Sequence, residues 1–76
     1  MRNLTEETLV IQSDYITLGQ LLKRAEIIPS GGMAKWYLAE YYVYVNGEEE
    51  DRRGRKLYAG DQVDLPNEEI TLIISN

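Results

Sequence analysis

The stretch NGEEEDRRGRK, Asn46 to Lys56, sets Glu48, Glu49, Glu50 and Asp51 directly against Arg52, Arg53, Arg55 and Lys56. Those four bases are half of the positive charge in a chain of 76 residues whose 13 acidic and 8 basic side chains leave a net charge of −5. Guanidinium forks match phosphate oxygens bidentately, and Gly54 lets the backbone come close to a ligand. Alternatively the bases pair with Glu48–Asp51 across a solvated hairpin, although exposed pairs contribute only about 0–1 kcal/mol each. Composition leaves phosphate binding and self-pairing equally open. As a calcium loop the acidic run fails, because it lacks alternating oxygen ligands and a sharp-turn Gly. A solvated acidic turn is the better reading, and no metal or other cofactor is expected.

Three further features have chemical content. Ser30-Gly31-Gly32 precedes a helical pattern, and two glycines there would leave backbone N–H groups unobstructed at the positive end of a helix dipole, which suits an anion. A flexible turn between two helices explains the same residues equally well. Lys23, Arg24 and Lys35 add cations to this part of the chain. Trp36, off the apolar stripe, could stack on a nucleobase, but the need of a small core for large apolar side chains favours burial. Catalysis is not expected. The chain has no His and no Cys, so the usual general base and thiol nucleophile are missing.

The elements that would position these residues can be read from periodicity. Thr8–Gln12 reads as a β-branched strand. Thr17 is placed to N-cap a helix whose Leu18, Leu21, Leu22 and Ala25 form one apolar stripe, and which Pro29 would close. Gly19 inside it costs about 1 kcal/mol relative to Ala, which points to tight packing or a close approach. Ser30 would cap a second helix, with Ala34, Tyr37, Leu38 and Tyr41 on one face. From Tyr42 the period changes to two: Val43 and Val45 face one way, Tyr42 and Tyr44 the other, and Asn46-Gly47 makes a turn. A short Lys56–Tyr58 segment, a turn at Ala59-Gly60-Asp61, and strands at Gln62–Leu65 and Ile70–Ser75 follow. The expectation is a single α+β domain over 1–76, two short packed helices followed by a small, mostly antiparallel sheet.

Charge is unevenly placed. Both ends are acidic, while residues 15–60 hold seven bases against six acids. Screening confines exposed charges to about 8 Å at physiological salt, so the local field of the middle segment outweighs the acidic sum. No apolar run approaches the roughly 18 residues of a membrane span, and the N-terminus lacks a signal-peptide pattern. Cytoplasmic residence is expected.

In order, TLGQLLKRAEI, SGGMAKWYLAE, VYVNGE, RRGRKL and AGDQV resemble the RNA-binding domain named after ribosomal small-subunit protein S-four (also the alpha-L fold), over about residues 15–65. The likeness is closest to its small stand-alone bacterial, YaaA-like members. The resemblance implies a non-enzymatic binder of structured RNA, ribosomal or transfer, with the ribosome or ribosomal proteins as further partners. It places Lys23 and Arg24 on the first helix, and Ser30, Gly31, Gly32 and Lys35 at the start of the second. Asn46-Gly47 becomes a structural turn, and Arg52, Arg53, Arg55 and Lys56 the loop after it. The chain departs from the pattern at three points. Thr17 and Gly31 stand where the family has Arg, and Gly19 where it has Asp, so two basic contacts are missing and RRGRK is left to compensate.

Two other readings use the same residues. A protein–protein adaptor would use Tyr41, Tyr42, Tyr44 and Trp36 as anchors. A DNA-binding variant would make the same phosphate contacts, since only the 2′-OH tells RNA from DNA. A ubiquitin-like sulfur carrier is rejected, because its chemistry needs a C-terminal Gly-Gly and this sequence ends Ile74-Ser75-Asn76.

Overall fold

The computed structural model describes residues 4–76. It comprises β1 (Thr5–Val10), β2 (Ile16–Thr17), α1 (Leu18–Arg24), a 3-10 turn (Gly31–Met33) running into α2 (Ala34–Glu40), β3 (Tyr44–Val45), β4 (Glu48–Glu49), β5 (Lys56–Leu57), β6 (Gln62–Leu65), a second 3-10 turn (Pro66–Glu68) and β7 (Ile70–Ser75). The expected α+β architecture is present. A five-stranded sheet in the order β1-β7-β6-β3-β4 is antiparallel except where β1 runs parallel to β7, and β2 pairs separately with β5. One buried cluster joins Leu18, Leu21 and Leu22 of α1 and Ala34, Tyr37 and Leu38 of α2 to Val43, Val45, Val63, Leu72 and Ile74 of the sheet region. The Tyr37 hydroxyl donates to Glu68 Oε2 at 3.0 Å, tying α2 to the Pro66–Glu68 turn. Burial, followed by that bond to an anion, raises the Tyr37 pKa well above the ordinary phenol value.

Helix α1 begins as expected at Thr17, with a reciprocal cap. Gln20 N donates to Thr17 Oγ1 at 3.2 Å and Thr17 N to Gln20 Oε1 at 3.0 Å, which satisfies two groups at this end of the helix. Its end differs from expectation: the helix stops at Arg24, well before Pro29. Ile27 N donates to Leu22 O and Glu26 N to Lys23 O, the paired bonds of a Schellman ending, with Glu26 at φ 61 in the left-handed position. The first strand also differs, running Thr5–Val10 rather than 8–12. Its parallel register, Thr5 opposite Ile70 through Val10 opposite Ser75, is dictated by β7, a partner that local composition cannot reveal. The glycine pair opens a 3-10 turn before α2, and Tyr41 is already extended, so α2 is shorter than its apolar pattern suggested.

Asn46 (φ 52) and Gly47 (φ 86) form the tight β3–β4 turn. Asn46 also donates through Nδ2 to Asp61 and accepts from Gln62 N, which locks the hairpin to the Gly60-Asp61 turn.

Glu26 is a non-glycine residue where glycine is favoured. The left-handed conformation costs an L-residue about 1–2 kcal/mol, against about 0.5–1 for the greater freedom of glycine in the unfolded chain. Glu26→Gly is therefore expected to raise stability by about 0.5–1 kcal/mol, read from the urea midpoint. A lowered midpoint would mean that the Glu26 side chain contributes more than its backbone costs.

Candidate nucleic-acid interface

The loop between β4 and β5 is built on the first turn of α1. Leu18 N donates to Arg55 O and Gly19 N to Arg53 O, both at 2.8 Å. These N–H groups have no partner within the helix, and here they hold the loop. Gly19 permits it: a Cβ at that position would lie 3.3 Å from Arg53 O and 3.4 Å from the Cβ atoms of Ala34 and Arg53. The glycine that costs helix propensity is explained by the close approach its presence suggested.

Glu50 is the second support. It is only 7% exposed, and its carboxylate accepts from Arg52 N, Arg52 Nε, Arg52 Nη2 and Arg55 Nη1 at 3.0, 3.0, 3.1 and 2.8 Å. Bonds from Arg52 and then Arg55 outweigh the opposing effect of burial and bring its pKa down to about 2. Self-pairing is thus correct for two of the four bases, but the premise of a solvated, exposed pair is not. The acceptor is buried and bridges two guanidiniums, although Arg52 itself remains largely in solvent.

The bases consequently separate. Arg52 and Arg55 are committed to Glu50. Lys56 lies over the Tyr15 ring, 4.8 Å from its centroid. Among the described residues no ion pair or hydrogen bond engages the Arg53 side chain, which leaves it the uncommitted guanidinium of the loop. Arg53 lines a groove of about 380 Å³ with Lys23, Gly19, Gly31 and Gly54. Gln20 and Lys23 continue into a neighbouring hollow of about 470 Å³ lined by Ser13, Tyr15 and Arg24, where Arg24 is steadied by a 2.8 Å bond from Nη2 to Val10 O. Ser30 and Gly32 flank Gly31 on the surface, and Lys35 is exposed on the following turn. The Ser30 side chain makes no capping bond.

Of the residues singled out in the sequence, Lys23, Gly31 and Arg53 meet in one groove and Arg24 adjoins it. Arg52, Arg55 and Lys56 do not line it, and Asn46-Gly47 belong to the hairpin. Trp36 corrects an expectation. It is 66% exposed rather than in the core, because Tyr37 and Leu38 fill the inward face of α2. The sequence reading missed the part played by Glu50: it is one of four consecutive acids, and only its tertiary position sets it apart. Among the described residues no cluster of His, Cys, Asp or Glu is arranged to hold a metal, and no helix is long and apolar enough to cross a membrane.

A carboxylate with a lowered folded-state pKa contributes stability that is complete above its ordinary value near 4.5 and is lost as pH falls toward 2. From a displacement of this size the Glu50 contribution is about 2–3 kcal/mol, allowing for the solvent around Arg52. Glu50→Gln should lower stability at pH 7 by roughly that amount and flatten the decline between pH 5 and pH 2, measured by urea unfolding. Equal pH dependence in the two proteins would refute the clamp.

Residues 9–73 match the family described as the S4 domain. The chain is also 60% identical over 55 residues, covering 72% of this chain and 78% of the relative, to a probable ribosome maturation protein, RlbA, of Bacillus subtilis (strain 168). No solved structure matches it. On the extent of the match and the similarity of that relative, the chain belongs to the S4 domain family.

Proposed function

We propose that the protein binds structured RNA without catalysing a reaction, using the groove between α1, the Gly31 turn and the β4–β5 loop. The observation that carries this reading is the meeting of two uncommitted cations, Lys23 and Arg53, on a groove floored by Gly19, Gly31 and Gly54. Glycines leave room for a sugar-phosphate backbone, and the guanidinium and ammonium supply charge-assisted hydrogen bonds to it. Arg24 extends the track in the adjoining hollow, and with Lys35 exposed on α2 about four cations are available for phosphate contacts. A relative named as a ribosome maturation protein supports ribosomal RNA or an assembling ribosomal particle as the partner, with transfer RNA the other structured candidate. Such a partner goes with cytoplasmic residence. Arg52 and Arg55 act here as supports that present the loop, and Glu50 keeps them from competing for the ligand.

Double-helical RNA is held largely through shape, 2′-hydroxyls and phosphates. Four contacts correspond to a log–log salt slope of roughly −3 to −4. Anisotropy of a labelled ribosomal-RNA hairpin and of the matching DNA duplex at two salt concentrations tests this directly. RNA should bind more tightly than DNA, with that slope. Arg53→Glu and Lys23→Glu should each reduce affinity at least ~10-fold and make the slope shallower by ~1 or more, with the melting temperature unchanged. Unaltered affinity in both variants would remove this groove as the contact surface. Arg55→Glu is a poor probe, since it sets a second carboxylate against Glu50 and should unfold the loop.

A further inference from the structure

Helix α2 separates two grooves of opposite character. Met33 of the 3-10 turn, Trp36 and Glu40 of α2 and Tyr41 just beyond it line, with Ile27 and Pro29, a largely apolar groove of about 360 Å³ that shares no lining residue with the Lys23–Arg53 groove. Trp36 is 66% exposed, and Met33 and Tyr41 are also in solvent. Removing apolar area from water favours association, and contiguous exposed patches mark binding surfaces. Trp, Tyr and Met are the residue types enriched where proteins dock.

The chemistry of the occupant follows from what surrounds this groove. Glu40 and Tyr41 also line an adjoining hollow of about 280 Å³, together with Tyr42, Glu49, Glu50 and Asp51. Glu50 turns inward to Arg52 and Arg55. Among the described residues no ion pair engages Glu40, Glu49 or Asp51, and no Lys or Arg lines either hollow, although Arg52 bonds the lining residue Glu50 and acts on Asp51 electrostatically. The excess charge of this surface is negative. It suits a chain that offers an apolar side chain to Trp36 and Met33 and then positive charge to the three carboxylates.

We propose that this face docks a basic protein segment, apolar at one end and Lys/Arg-bearing at the other, while the separate groove of Lys23 and Arg53 faces RNA. The protein would then join a cationic protein chain to an RNA helix rather than coat RNA alone. The acidic run in EEEDRRGRK acquires two roles, Glu50 shaping the RNA-facing loop and Glu49 with Asp51 receiving the protein partner.

The test uses the full chain, expressed in the cells it derives from, with Trp36→p-benzoylphenylalanine in one strain and Arg53→p-benzoylphenylalanine in another. Both positions are exposed, and circular dichroism verifies folding. After irradiation, mass spectrometry locates the linked partner. The expected result is a Trp36-position adduct to a Lys/Arg-rich protein segment, reduced at least tenfold when Glu40→Lys and Asp51→Lys are added. An adduct to RNA, an adduct to a segment without net positive charge, indifference to the added lysines, or no adduct would each overturn the proposal. The Arg53-position probe reports on the RNA reading separately. If it fails to label RNA while the Trp36 position still labels a basic segment, the RNA groove is wrong and the docking surface stands.

Discussion

The basic loop has its shape because the first turn of α1 has backbone donors to spare. Leu18 N and Gly19 N cannot bond within their own helix, and they hold the carbonyls of Arg55 and Arg53 instead. This pairing fixes the distance between α1 and the loop, and it leaves little room for a side chain at Gly19. It also brings Arg53 beside Lys23 and Gly31. The antiparallel pairing of β2 with β5, Ile16 opposite Leu57 and Thr17 opposite Lys56, flanks the same junction. A loop that would otherwise be flexible is therefore anchored from backbone to backbone, and its side chains are left for other work.

Glu50 completes that anchoring from the other side. A buried carboxylate is costly alone and favourable only when its oxygens are filled. Here four donors fill them, one of them backbone. The result is a division of labour within a five-residue cluster: two guanidiniums neutralise a buried acid, one ammonium covers an aromatic ring, and one guanidinium remains for a ligand. Counting bases in RRGRK overstates the guanidiniums offered to a partner: Arg52 and Arg55 share one buried carboxylate and keep one net positive charge between them, Lys56 keeps its charge over the Tyr15 ring, and Arg53 is left for a ligand.

The sequence disclosed most where local rules suffice. Asn46-Gly47 demands positive φ and becomes a hairpin turn. Thr17 with its polar neighbour Gln20 becomes a reciprocal cap, and the alternation of Val43 and Val45 with the tyrosines sorts inside from outside. It disclosed least where a tertiary partner decides. β1 takes its register from β7, sixty-five residues away along the chain, and Glu50 differs from Glu49 only in which way it points. Trp36 was drawn toward the core by its size, yet the inward positions of α2 were already taken by Tyr37 and Leu38. A large aromatic side chain on the outside of so small a domain is informative because nothing in folding requires it there.

The departures from the family pattern share one physical basis. Thr17 replaces a base and supplies the cap that fixes where α1 begins. Gly19 replaces an acid and lets the Arg53 carbonyl reach its N–H. Gly31 replaces a base and leaves open the groove into which Arg53 is directed. In the proposed RNA-binding reading, Arg53 of the loop joins Lys23 and Arg24 of the first helix, and Gly19 and Gly31 leave the room in which they meet. Because the loop is set by two backbone hydrogen bonds and one buried carboxylate, the position of Arg53 depends on α1 and Glu50 together. A change in either moves the charge without altering the charged residue itself.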